Sequence, residues 1–168
     1  MTALAMLWLG MTPIQAANLP VALGWGLDDH GQLGQGSQVV FPTPTPIDQT
    51  GALAGKTVIK TVSGGRHVLA LTADGKVYAW GDNSSRQLGN NSNLPSSSPV
   101  EVMAAPGSEL IGKTVIDIAA TQNTSLLVTS DFQLWGWGTG ALGGPNSTLT
   151  GLPIRINSGA LSGKNVVK

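Results

Sequence analysis

Short apolar stretches separated by Gly, Asp, Asn, Ser and Pro run along most of this chain. In the middle, Val58–Val62, His67–Thr72 and Lys76–Trp80 have the length and residue types of strands. Gly64-Gly65 breaks the first from the second, and Ala73-Asp74-Gly75 separates the second from the third. An Asp-Gly pair between apolar runs predicts a tight hairpin, because Gly takes a positive φ without steric cost. In Val68-Leu69-Ala70-Leu71 both alternating sets are apolar, so both faces of the sheet are expected to be covered, as in a blade sandwiched between blades. After Trp80-Gly81 the polar run from Asp82 through Ser98 and Pro99 reads as a long surface connection with little structure of its own.

The plan returns with changes in Val115–Ala120, Thr124–Thr129 and Gln133–Trp137. Asp131-Phe132 stands where Asp74-Gly75 stood, and Phe disfavours positive φ, so the turn must differ or carry strain. Before the middle unit there is only a last strand, Leu19–Trp25, followed by a polar turn from Asp28 to Gly36. Trp25-Gly26, Trp80-Gly81 and Trp137-Gly138 thus recur 55 and 57 residues apart, and Gly55-Lys56, Gly112-Lys113 and Gly163-Lys164 keep phase with them. Two markers at one period describe a tandem array. A buried indole removes roughly 150–250 Å² from water, so Trp25, Trp80 and Trp137 read as packing anchors rather than ligand platforms. Gly26, Gly81 and Gly138 would allow close backbone approach behind them, and Gly34 and Gly89 close the turns that follow. Trp135, off the register at the position of Tyr78, is the aromatic expected to be more exposed.

Composition agrees with an all-β chain: 23 Gly and 10 Pro stand against two Phe and one Tyr in 168 residues, 41% of them hydrophobic. Nine basic and nine acidic residues without clustering argue against nucleic acid or an anionic membrane surface as partner. The absence of Cys excludes disulfides, thiolate metal sites and cysteine nucleophiles. Ala3–Met11 is an apolar run followed by Ala16-Ala17, which resembles the core and cleavage region of a secretory signal; residues 1–17 are read as that or as a truncated leader, and residues 18–168 as the array. No Lys or Arg precedes Lys56, and a cut after Ala16 would put Ile14 where a small residue belongs; a first strand or short helix is the alternative. The run is too short for a membrane span, which needs about 20 apolar residues.

Several motifs invite a chemical reading. Gly107 to Thr114 fits the phosphate-loop pattern with Lys113 as counter-charge, but a strand-like run, Val115–Ile118, follows where a helix is required. His30 and His67 sit in non-equivalent repeat positions without a partner at metal-ligand spacing, so no metal or other cofactor is expected. His67 reads as a hydrogen-bonding residue within or between blades. Ser63, His67 and Asp74 can be written as a nucleophilic set, yet the third unit has Thr124 in place of His67. Asp28, Asp29, Asp82 and Asn83 suggest calcium, or simply solvated turn caps. Asn83, Asn90, Asn123 and Asn146 begin glycosylation acceptor patterns.

The run from Ser63-Gly-Gly-Arg-His67 through Asp74-Gly75 to Trp80-Gly81-Asp-Asn83, with Gln87-Leu88-Gly89 after it, resembles the repeat of the regulator of chromosome condensation family. The kelch repeat has a similar period, but its Gly pair follows the aromatic-ended strand, whereas Gly64-Gly65 precedes it. The resemblance covers about residues 18 to 168 and implies a β-propeller of four-stranded blades. Four blades of about 55 residues would already exceed this length, so the expectation is an incomplete β-propeller of tandem antiparallel blades, completed by further blades of the same polypeptide or other copies. Function is then expected to be a noncatalytic protein-interaction scaffold, part of a longer bacterial-type exported or surface protein, with cytoplasmic placement as the alternative. Its contacts would come from loops carrying Asp28, Asp29, His30, Asp82, Asn83 and Arg86, with Trp135 beside them, and from Thr139–Thr150. Family members also suggest guanine-nucleotide exchange on a small GTPase, or inhibition of a secreted enzyme; the protein partner itself is not encoded.

Overall fold

The computed structural model describes residues 22–104, 106, 107, 109–139 and 150–157, and every regular element in them is a β-strand. β1 (Leu23–Gly26) and β2 (Phe41–Pro46) form a two-stranded sheet. β3 (Val58–Ser63), β4 (His67–Thr72), β5 (Val77–Gly81) and β6 (Ser96–Glu101) form a four-stranded sheet in that order. β7 (Val115–Ala120), β8 (Thr124–Thr129), β9 (Leu134–Gly138) and β10 (Thr150–Arg155) repeat it. All pairings are antiparallel, so these are successive blades of an open array.

The stretch from Asp82 through Pro99 is not an unstructured connection: it ends in β6, which pairs Tyr78 with Glu101 and Ala79 with Val100. Ser96-Ser-Ser-Pro99 and Phe41-Pro-Thr-Pro-Thr-Pro46 carry no strand signal of their own, because they lack apolar alternation and contain proline. An outermost strand needs backbone donors on one side only, and there proline is tolerated.

Strand alternation sends the two faces of β4 and β5 to different neighbours. Leu69, Leu71, Val77 and Ala79 pack with Leu88, Val115, Ile118, Leu127, Trp135 and Trp137 between the second and third units. Ala70, Tyr78 and Trp80 pack with Ile47, Leu53 and Val58 toward the first. Backbone bonds tie the units at matching places: Gly36 N donates to Ser97 O, and Asn91 N donates to Gly151 O, both at 2.9 Å.

The two hairpins make one turn with different residues. Gly75 N donates to Thr72 O at 2.9 Å and Phe132 N to Thr129 O at 2.8 Å. Phe132 adopts φ 61°, so the third unit keeps the turn and accepts the strain. Side chains brace both hairpins alike: Thr72 Oγ1 donates to Asp74 and Thr129 Oγ1 to Asp131, each at 2.6 Å, while Lys56 and Lys113 pair with the same two carboxylates.

Candidate functional site

The turn that follows each Trp-Gly pair is organised from within. Asp28 Oδ1 accepts from Leu33 N at 2.7 Å, and Asn83 Oδ1 accepts from Leu88 N at 2.9 Å. Gln32 Oε1 accepts from His30 N and Gln87 Oε1 from Ser85 N, closing the same loop twice. The folded turn then offers its Gln carbonyl to the next unit: Trp80 Nε1 donates to Gln32 O at 2.9 Å and Trp137 Nε1 to Gln87 O at 2.8 Å. A Cβ on Gly34 or Gly89 would lie 2.6 Å from the Nε1 of that indole, so each seat needs glycine.

Several site residues lie differently from the sequence reading. Trp25 is 60% exposed, and among the described residues no turn of a preceding unit lies against it. Trp135, expected to be exposed, is buried at 3%; two residues from Trp137 on one strand means the same face, turned toward the second unit. Asp28 and Asn83 are buried frame members rather than loop contacts. Gly55 and Gly112 have positive φ with open space around them, so conformation rather than packing selects glycine there. Gly163 and most of the Thr139–Thr150 loop lie outside the described residues.

His67 is also internal. Ser125 Oγ donates to Gln87 O at 2.7 Å and therefore accepts from His67 Nε2 at 2.9 Å, which fixes a neutral Nε2–H tautomer across the blade junction. Burial pushes the imidazole down to about 4, opposed in part by the charge of Asp82. Ser63 pairs in the sheet with Val68, and Asp74 belongs to Lys56 and Thr72, so the three do not form a nucleophilic set. The phosphate-loop pattern is a turn in which Lys113 N donates to Leu110 O before β7 begins, and its Lys113 side chain is paired with Asp131.

What remains at the surface is a polar rim spanning the first two units. Asp29 Oδ1 contacts His30 Nδ1 at 2.7 Å, and His30 Nε2 faces Arg66 Nη1 at 3.2 Å. Hydrogen bonds from His30 and Gln32 hold the Asp29 carboxyl below its ordinary range. Burial raises the Asp82 carboxyl, but hydrogen bonds from Ser84 and Gln87 outweigh it and bring it below. Arg66 escaped sequence reading because it sits in the break between two strands; its place before His67, at a blade junction, was the available signal. Val39 and Leu94, 55 residues apart, are exposed at the same place, Leu94 at 70%. Among the described residues no three His, Asp or Glu side chains are placed to hold a metal ion, and no described helix is long and apolar enough to cross a membrane. Asn83 Nδ2 is committed to Asn90 Oδ1, Ser92 O and Leu94 O, which removes it as a glycosylation acceptor in the folded chain.

Comparison with known proteins agrees with this geometry. Human E3 ubiquitin-protein ligase HERC2 is 35% identical over 122 residues, 71% of this chain and 2% of HERC2. The mitochondrial RCC1 domain-containing protein RUG3 of Arabidopsis thaliana is 32% identical over 139 residues, 79% of this chain and 29% of its own length. The Arabidopsis ultraviolet-B receptor UVR8 is 35% identical over 119 residues, or 71% of this chain and 25% of the receptor. The chain thus spans less than a third of these relatives. Human WBSCR16 superposes with a TM-score of 0.66 at 27% identity, covering 79% of this chain and 32% of WBSCR16. Yeast Prp20p shares the fold with a TM-score of 0.69 at 24% identity, covering 87% of this chain and 36% of Prp20p. Residues 22–71 and 74–128 match the regulator of chromosome condensation (RCC1) repeat, residues 58–87 match it again in a second form, and the chain belongs to that family.

Proposed function

We propose that this chain is a noncatalytic scaffold that binds another protein through the turns following its Trp-Gly pairs. The observation that carries the reading is a division of labour within equivalent turns. Gln32/Gln87, Leu33/Leu88 and Gly34/Gly89 keep the same residues and bonds, whereas Leu27/Asp82, Asp29/Ser84 and His30/Ser85 differ. A fixed frame carrying changed outer residues suits recognition of a partner whose surface differs from turn to turn. His67, the histidine best placed for chemistry, is buried and held by its neighbours.

The test is affinity capture from the source cells with the whole natural polypeptide, comparing wild type with Asp29→Arg and Arg66→Glu. A partner lost by both variants, with thermal unfolding unchanged, supports the rim as contact surface; a partner retained by both removes it. Exchange activity on a small GTPase would instead show as accelerated GDP release, and inhibition as loss of activity in a secreted hydrolase. Export is proposed from Ala3–Met11, outside the described residues, and N-terminal sequencing of the mature protein decides it.

A further inference from the structure

Asp28 and Asn83 occupy one position in two turns that stay in register for their whole length. Gly36 and Asn91, with φ 77° and 59°, and the strand starts Phe41 and Ser96 keep the same 55-residue offset. In the second turn Asn83 Nδ2 donates to Asn90 Oδ1 at 3.2 Å, and to Ser92 O and Leu94 O at 3.0 Å. The register equivalents in the first turn are Gln35, Ser37 and Val39. Asp28 therefore puts an oxygen where the second turn has an amide nitrogen. Its side chain is fully buried and Oδ2 has no partner. Gln35 Oε1 is likewise buried and unpartnered, since Gln35 Nε2 is spent on Gly24 O at 3.0 Å and Thr45 O at 2.9 Å. Two buried acceptors without a donor cost stability, and a buried carboxylate without a counter-charge neutralises instead.

We propose that Asp28 is a carboxylic acid in the folded chain, its Oδ2–H donating to Gln35 Oε1, so that the first turn closes by taking a proton from solvent where the second closes with an asparagine. A neutral carboxyl is the one form of this side chain that donates. Burial pushes the Asp28 carboxyl upward, the Leu33 N–H on Oδ1 draws it down, and the charge of Asp29 pushes it up again. Asp29 is the charged neighbour acting on it, with His30 and Arg66 turned toward Asp29. β1 and β2 carry no titratable side chain, and Asp48 beyond β2 is held by Thr50. A carboxyl raised in the folded state favours folding fully below its unfolded value, and that advantage is lost as pH rises through the folded value.

The decisive readings are the side-chain carboxyl 13C shift of Asp28 against pH in the full chain, and the stability of Asp28→Asn. Asp28 is expected to titrate above the ordinary carboxylate range. Asp28→Asn is expected to favour folding at pH 7 by at least about tenfold over wild type, tenfold for each pH unit up to pH 7 by which the folded carboxyl titrates above its ordinary value, an advantage shrinking toward pH 4. Titration of Asp28 at or below the ordinary range in the folded wild type overturns the proposal, whether or not the variant folds. So does stabilisation by calcium of wild type but not of Asp28→Asn, which would put a cation where the proton is proposed.

Discussion

Trp25 and Trp80 end equivalent strands 55 residues apart, yet the first is 60% exposed and the second 1%. The difference lies in what stands before them. Trp80 meets the Gln32–Gly34 turn and donates to Gln32 O, whereas among the described residues no such turn faces Trp25. A Trp-Gly pair is therefore one half of a joint whose other half lies in the preceding unit. The sharpest way to break this view is a pair of truncations followed by urea unfolding. Trp80→Ala is expected to cost about 3–5 kcal/mol, and Trp25→Ala no more than about 1 kcal/mol in the same chain. Equal losses would mean that Trp25 is seated after all. Gly89→Ala should approach the larger effect, because its Cβ would strike the Trp137 indole.

The junction behind these anchors separates the second unit from the third by pH. His67 spans it as a neutral donor, while the third unit has Thr124, which does not titrate and donates to Thr139 O. With the folded value lowered from 6.5 to about 4, the junction is at full strength above pH 6.5. It weakens as acid protonates the unfolded imidazole first, and levels off once the folded histidine protonates near pH 4. The whole loss amounts to about 3 kcal/mol. Unfolding of wild type and His67→Gln between pH 7 and 4 should show this slope only in wild type; parallel curves would place the acid sensitivity elsewhere.

The hairpins reverse the advantage between units. Phe132 holds φ 61° and is largely exposed, so Phe132→Gly is expected to stabilise by about 1 kcal/mol, reduced by the freedom glycine adds to the unfolded chain. Gly75→Ala should destabilise, since its Cβ would meet Thr114 Cγ2 at 2.5 Å. Matching signs for the two substitutions, measured by thermal unfolding, would show that the turns differ in more than this residue.

The central strands were legible because apolar length, Asp-Gly turns and the doubled Trp-Gly and Gly-Lys markers all signal locally. β2 and β6 were not, because an outermost proline-bearing strand is specified by its neighbour's free edge rather than by its own letters. Trp135 was misplaced because it lies off the Trp-Gly marker, although strand alternation from Trp137 and its register equivalent, the buried Tyr78, both put it on a covered face. At the site, Asp28 and Asn83 looked like exposed turn polars; their burial follows from a bond to a backbone amide five residues on, which no spacing rule exposes. Ser125 and Arg66 act only across blade junctions, so their roles arise from packing rather than from local sequence.

The smallest contrast is between the two hairpin ion pairs. Hydrogen bonds from Lys56 and then Thr72 hold the Asp74 carboxyl down at about 2. In the third unit Lys113 and Thr129 hold Asp131 below its ordinary range. Such a carboxyl supports the fold above its unfolded value and withdraws support as pH falls through the folded one. Both ends of each pair reach solvent, so the effect on stability is screened. Lys56→Met is expected to change stability only slightly, less still in high salt, while Asp74 titrates closer to its ordinary value. Because Thr72 keeps its bond to Asp74, the carboxyl should move only part of the way. A full return to ordinary would assign the whole depression to the lysine, and an unmoved one would assign it to the threonine and the hairpin backbone that both units share.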